Sequence, residues 1–191
     1  PQQIMYGDTK FEEVVLQTKI FEKSSNKFVG LGTIGLQARR ENLSVGSLNI
    51  NIENPHLWSP DDPFLYIAET TVSLDGAILD KQEDLFGLRD FTRKGKYFYL
   101  NDERIFLRGT NITLQRFFED PDCGNLAWDR DWVKKLIIDD PKKIHWNAMR
   151  ICVGIVPDFW YDLADEFGMV FQNEWLYWQN HGWDEQIKEE F

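Results

Sequence analysis

Residues 147–175 read NAMRICVGIVPDFWYDLADEFGMVFQNEW, and this stretch decides the fold class of the C-terminal half of the chain. It begins and ends with a short apolar run, which is typical of a buried strand. Between the two runs, Phe159, Leu163 and Phe167 follow one another at four-residue steps, and Gly168 stands where a helix C-cap belongs. Two strands joined by a helix lie parallel with a right-handed crossover, so the stretch predicts a strand–helix–strand unit.

Polar and aromatic residues follow both predicted strands. The first strand ends at Arg150, and the second ends at Asn173, Glu174 and Trp175. In parallel α/β units, ligands bind beyond the carboxyl ends of the strands. These side chains are therefore candidates for a binding site.

The first ninety residues carry a different pattern. Apolar residues alternate with polar ones, most regularly in 47–52, and Asp75-Gly76 is a strong hairpin turn signal. No helical period interrupts these short strands, so the pattern predicts a β-sandwich. It breaks around 92–96, and a hairpin at 97–107 then leads into a predicted strand that ends at Asn111 and Ile112.

Four motifs occur in an order that is specific to one family. They are Asn54-Pro55-His56-Leu57-Trp58-Ser59-Pro60 followed by Pro63-Phe64-Leu65-Tyr66, then Phe86-Gly87-Leu88-Arg89, then Phe106-Leu107-Arg108-Gly109-Thr110-Asn111, and finally the stretch at 147–175. Together they resemble glycoside hydrolase family 2, the superfamily of β-galactosidases, β-glucuronidases and β-mannosidases. The resemblance covers roughly residues 54–175.

The resemblance implies two domains, with residues 1–95 as an immunoglobulin-like β-sandwich and residues 96–191 as the N-terminal portion of a (β/α)8 catalytic barrel. Such a barrel needs eight strands and about 250 residues, so the chain is expected to be an internal fragment with a truncated TIM-barrel segment. The complete enzyme would be a retaining β-glycosidase that uses two carboxylates. The family supplies both from later strands, so we expect the piece itself to be inactive.

The same resemblance implies substrate-binding roles for Asn111, Arg150, Asn173, Glu174 and Trp175, and no catalytic residue in the chain. Although Asn173-Glu174 looks like the family's catalytic Asn-Glu pair, it follows the third strand, whereas the catalytic acid follows the fourth. The plainer interpretation is that Glu174 is hydrogen-bonded to Arg150 and holds the barrel mouth in shape.

Neither a metal nor a cofactor is expected. The galactosidase branch has a Glu-x-His-Gly metal motif after the third strand, and the nearest match here, Gln179-Asn180-His181-Gly182, lacks the carboxylate. The same branch has Ser-His-Tyr-Pro after the arginine, where this chain has Cys152-Val153-Gly154-Ile155. Galactose specificity is therefore not supported.

The composition of the chain limits the classes of partner that it is expected to bind. The formal charge of −11 and the lack of a Lys/Arg run argue against nucleic acid, and no apolar run is long enough for a membrane span. No signal peptide is recognisable. The resemblance favours a secreted or periplasmic location, and the sequence leaves the compartment open. A carbohydrate substrate is expected; the alternatives are a non-catalytic carbohydrate-binding module and an interaction module that self-associates through an open barrel edge.

Overall fold

The computed structural model describes residues 12–38 and 46–174. The chain divides into two compact units, Pro1–Phe91 and Thr92–Phe191. Strands dominate the described ranges, and the helices there are few and short. None of the helices in those ranges is both long and apolar enough to cross a bilayer.

The first unit contains a four-stranded antiparallel sheet. Its strands are β1 (Glu12–Glu22), β2 (Phe28–Ala38), β3 (Tyr66–Leu74) and β4 (Ala77–Phe86), in the order β2-β1-β3-β4. Asp75 and Gly76 join β3 to β4 with φ angles of 50° and 81°. Both residues adopt the left-handed conformation that a tight hairpin turn needs, which confirms the predicted turn.

The strand predicted at 47–52 is not formed. Instead, Leu48 and Ile50 approach the glycines of β2: a Cβ atom added to Gly32 would lie 2.8 Å from Leu48 Cδ2, and one added to Gly30 would lie 2.8 Å from Ile50 Cγ2. The alternation over residues 47–52 therefore reflects contact of these side chains with the face of the sheet. In the part of the chain that the structure describes, the segment does not pair with a neighbouring strand through backbone hydrogen bonds. Among the described residues of this unit no second sheet is seen, so the two-sheet sandwich stays a prediction.

Trp58, from the second half of the Asn54–Pro60 motif, lies in the core of the first unit. Its side chain is 1% exposed, and its backbone N–H donates to the carbonyl of Leu88 at 2.7 Å. The guanidinium of Arg89 lies 4.7 Å from the centre of the indole ring. This tryptophan is therefore a packing residue, and its ring is not open to a sugar.

The second unit begins with a small sheet in the order β5-β6-β7. Its strands are β5 (Phe91–Lys94), β6 (Tyr97–Leu100) and β7 (Glu103–Ile105). Asn101 and Asp102 connect β6 to β7 with φ angles of 54° and 65°. The hairpin predicted from this stretch is thereby confirmed.

A three-stranded parallel sheet follows, in the order β10-β9-β8. Its strands are β8 (Gly109–Ile112), β9 (Ala148–Ile151) and β10 (Val170–Asn173). Both neighbouring pairs are parallel, which confirms the strand–helix–strand unit. Within the described residues this is a short open sheet, and its closure into a barrel stays a prediction.

Helical segments connect the parallel strands. They are α1 (Gln115–Phe118), a 3-10 turn (Leu126–Trp128), α2 (Arg130–Lys134), a π-helical turn (Lys135–Asp139), α3 (Asp140–Lys143) and α4 (Asp158–Phe167). The pattern from Asp129 onward predicts a helix that Pro141 either ends or follows in the next turn, but the helical segments continue through Pro141 to Lys143. The π-helical turn that precedes Pro141 changes the hydrogen-bond spacing where a proline ring would otherwise meet an α-helical carbonyl. Gly168 caps α4 with a φ of 75°, as predicted.

The helices cover one face of the parallel sheet. The hydrophobic core there comprises Ile112, Met149 and Ile151 from the sheet together with Val133, Ile137, Ile138, Trp160, Leu163 and Ala164 from the helical segments. Since side chains alternate along a strand, the neighbouring residues Asn111 and Arg150 fall on the opposite face.

Candidate functional site

Three polar side chains lie side by side on the face of the parallel sheet that the helices leave open. In the strand pairing, Arg150 lies opposite Asn111 of β8 on one side and Gln172 of β10 on the other. Two residues earlier in each strand, the paired residues have small or short side chains, namely Gly109, Ala148 and Val170. The result is a shallow depression of about 260 Å³ with a polar row across it.

Arg150 is held between two of the predicted site residues. One Nη atom forms an ion pair with Oε1 of Glu174, and the other donates to Oδ1 of Asn111 at 3.4 Å. The Arg150 side chain remains 38% exposed and the Glu174 side chain 27%. The structure thus brings together Asn111, Arg150 and Glu174, and the guanidinium keeps N–H groups for a ligand.

Glu174 also binds the turn that follows β9. Its Oε2 accepts from the backbone N–H of Val153 at 2.9 Å, and its backbone carbonyl accepts from Gly154 at 3.0 Å. The hydrogen bond from the Cys152 thiol, followed by that from the Val153 amide and the charge of Arg150, lowers the pKa of Glu174 below its usual range. Glu174 is therefore ionised near neutral pH, whereas a general acid must be protonated there. This agrees with excluding it as the proton donor.

The remaining predicted site residues do not join this cluster. Asn173 lies on the face of the sheet that packs against the helices, and its Oδ1 accepts a hydrogen bond from the Tyr161 hydroxyl of α4 at 3.1 Å. Trp175 lies outside the described residues. Substrate-binding roles for all five predicted residues stay predictions.

Gln172 is a member of the polar row that sequence reasoning missed. In the described part of β10 it occupies the same face as Arg150, and its side chain is exposed. The period of two along a strand could have found it, because residues 172 and 174 share a face whereas 173 does not. The apolar run before it, Met169-Val170-Phe171, gave no alternation from which to choose that face.

The turn beyond β9 contains an unusual backbone conformation. Val153 has a φ of 61°, and Gly154 has a φ of 120°. A β-branched residue with positive φ is a genuine outlier, and outliers of this kind cluster at ligand-binding sites. No local sequence signal predicted it.

No group of three or more His, Cys, Asp or Glu side chains within 12–38 and 46–174 could hold a metal ion. The Gln179–Gly182 segment discussed above lies outside those ranges. The absence of a metal site therefore stays a prediction for the whole chain.

Comparison with known proteins finds similarity to one family. Residues 4–89 match the model of "Glycosyl hydrolases family 2". A protein of Formosa agariphila named "Putative beta-glucuronidase" is 29% identical over 147 residues, which cover 76% of this chain and 13% of that protein. A beta-galactosidase of Lactococcus lactis is 27% identical over 126 residues, covering 65% of this chain and 12% of that protein.

Solved structures share the fold. A beta-glucuronidase from glycoside hydrolase family 2 superposes with a TM-score of 0.71 at 19% identity, over 95% of this chain and 18% of that chain. The Parabacteroides merdae beta-glucuronidase gives a TM-score of 0.66 at 23% identity, over 86% of this chain and 20% of that chain. The chain spans about an eighth of the length of the curated relatives it matches.

Proposed function

We propose that the chain is part of an enzyme of glycosyl hydrolase family 2 that hydrolyses a β-glycosidic bond, since its residues 4–89 match that family and its curated relatives are named as glycosidases. The observation that carries the proposal is the meeting of Asn111, Arg150 and Glu174 beyond three parallel strands. Groups at that edge of a parallel sheet face the ligand in α/β enzymes. The matches are to hydrolases, which favours an enzyme over a non-catalytic binding module.

For the architecture, we propose an immunoglobulin-like β-sandwich over residues 1–95 and the opening of a (β/α)8 barrel over residues 96–191. The parallel order β10-β9-β8 with helices on one face supports the barrel, because barrel strands carry their helices outside. On this assignment the open face, with its polar row, would look into the barrel. The strand edge of β10 would then pair with further strands of the barrel, or with a second copy of the chain if those strands are absent.

For the site, the proposal gives the polar row the task of holding sugar hydroxyls. A guanidinium presents five N–H donors in a fixed plane, and an amide both donates and accepts. Arg150 and Asn111 supply these groups, and Gln172 lies next to them. Asn173 and Trp175 stay candidates from the sequence alone. Glu174 would border this pocket as an ionised carboxylate whose two oxygens are paired within the chain.

For the reaction, the proposal is the retaining mechanism with a general acid/base and a nucleophile about 5–5.5 Å apart. Neither carboxylate is assigned to this chain, because the resemblance places both on later strands of the barrel. The lowered pKa of Glu174 also argues against a role as the general acid. We therefore expect the 191-residue chain to bind a monosaccharide weakly and to cleave nothing. The names of the relatives support both a β-glucuronide and a β-galactoside as the substrate class.

The test is to incubate the chain with aryl β-glucuronides and aryl β-galactosides and to titrate it with the corresponding methyl glycosides by calorimetry. We expect no release of the aryl group, and saturable binding that is lost in Arg150→Ala and kept in the exposed control Arg104→Ala. Turnover that disappears in Glu174→Gln would overturn the assignment of the catalytic carboxylates. Binding that survives Arg150→Ala would overturn the site.

A further inference from the structure

The turn at residues 152–154 adopts a backbone conformation that its own residues do not favour. Val153 has a φ of 61°, in the left-handed region that β-branched residues avoid. Such a conformation persists only where neighbouring groups impose it, because the valine would otherwise relax to the β region.

Glu174 supplies contacts on both sides of this turn. Its backbone N–H donates to the carbonyl of Ile151 at 3.0 Å, and its carbonyl accepts from the N–H of Gly154 at 3.0 Å. Its side-chain Oε2 accepts from the N–H of Val153 at 2.9 Å. Glu174 therefore forms hydrogen bonds with residues 151, 153 and 154, on both sides of the strained Val153 and at Val153 itself.

The other carboxylate oxygen of Glu174 holds the Arg150 side chain. Oε1 forms the ion pair with Arg150, whose second Nη atom donates to Asn111. Both carboxylate oxygens are thus occupied within the chain, while the guanidinium and the Asn111 amide retain N–H groups. The two oxygens connect the backbone of the turn to the orientation of the guanidinium.

We propose that Glu174 is a positioning residue: it imposes the left-handed turn at Val153 and orients the Arg150 guanidinium toward Asn111, and it does not itself contact the sugar. The inference rests on the proposed function for the part that concerns sugar. In this assignment Arg150 and Asn111 contact the ligand, and Glu174 acts through them. An ionised carboxylate is required, because only that form accepts from both partners at once.

The experiment is NMR spectroscopy of the ¹⁵N-labelled 191-residue chain, with Glu174→Gln as the test variant and Glu103→Gln as the matched control. Glu103 is an exposed glutamate of β7, so its substitution removes the same charge. In the wild type, the Val153 amide proton should titrate with the carboxylate and move as the pH falls below 4.5, the ordinary glutamate pKa. In Glu174→Gln that titration should disappear, and hydrogen exchange at Val153 and Gly154 should accelerate by about tenfold or more.

A second substitution separates the two tasks. Val153→Gly in the Glu174→Gln background should restore slow exchange at Gly154, because glycine adopts positive φ without strain. It should not restore the ordered guanidinium signals of Arg150, since the anionic partner is still missing. This rescue distinguishes a positioning role from a general loss of folding.

Sugar binding is measured last, by adding methyl β-glucuronide or methyl β-galactoside to the same samples. We expect the Arg150 and Asn111 side-chain signals to move while the Val153 amide stays bonded to Glu174. Release of that amide on sugar binding would show that Glu174 contacts the ligand and would overturn the proposal. Unchanged exchange and unchanged Arg150 signals in Glu174→Gln would overturn it as well. If no signal moves with sugar, the proposed function fails, and the titration and rescue still decide the positioning role.

Discussion

Replacing Gly109 by alanine tests the parallel sheet at its tightest point. A Cβ atom on Gly109 would lie 1.6 Å from the carbonyl oxygen of Ala148, whereas real Cβ atoms essentially never come within 3.0 Å of another heavy atom. β8 and β9 would have to separate by about 1.4 Å, the difference between the two distances. The N–H groups of Asn147 and Ala148 donate to the carbonyl of Arg108 at 2.9 Å and 3.1 Å, and such a shift would break both bonds.

The expected loss of stability follows from these two bonds. Each contributes about 0.5–1.5 kcal/mol net, so we expect the loss of both to cost roughly 1–3 kcal/mol. For a domain of about 100 residues, each kcal/mol lowers the Tm by about 4–8 °C, which predicts a fall of at least about 4 °C.

Thermal unfolding monitored by tryptophan fluorescence measures this change, and hydrogen exchange at Ala148 localises it. Gly124→Ala is the matched control, because the nearest atoms to its added Cβ lie 3.9 Å away. The reasoning would be refuted if the Tm of Gly109→Ala stayed within roughly 2 °C of the control, since that is less than 1 kcal/mol.

Three further predictions concern the helices and the site. Leu163→Ala, at a position that is 1% exposed, should lower the free energy of unfolding by about 2–5 kcal/mol in denaturant titration; a change below 1 kcal/mol would contradict the core assignment. Asp129→Ala should cost about 1 kcal/mol, because the side chain accepts from the N–H groups of residues 131 and 132; Asp129→Asn, which can still cap, should cost much less. The lowered pKa of Glu174 means that its contribution to stability is complete above about pH 4.5 and is lost as the pH falls further. In Glu174→Gln, the free energy of unfolding should therefore fall less steeply below about pH 4.5 than in the wild type. An unchanged pH dependence in that range would contradict the ion pair.

Local chemistry explains why several elements were predictable. The four-residue spacing of Phe159, Leu163 and Phe167 fixed the helix, and Gly168 fixed its end because only glycine adopts a φ of 75° without strain. Asp75-Gly76 likewise fixed a hairpin through its own backbone preference. In each case the residues that decide the structure lie within a few positions of one another, so no distant contact is needed.

Other features depend on distant partners. Alternation at 47–52 predicted a strand, but Leu48 and Ile50 approach Gly32 and Gly30 of β2, and nothing within the segment itself announces that contact. Likewise, the short apolar run before Gln172 does not say which strand face meets the helices. The pairing of Arg150 with Glu174 was foreseen as one interpretation, since both end neighbouring strands.

The sequence by itself determined the parallel strand–helix–strand unit, the two hairpin turns and the likeness to one family, because these depend on periodicity, capping and motif order. Only the tertiary structure decided that Gln172, and not Asn173, lies beside Arg150, and that Glu174 accepts from a left-handed Val153. The face on which a four-residue strand presents its side chains is set by what packs against it. The strain at Val153 is likewise set by a carboxylate that lies 21 residues away in the chain.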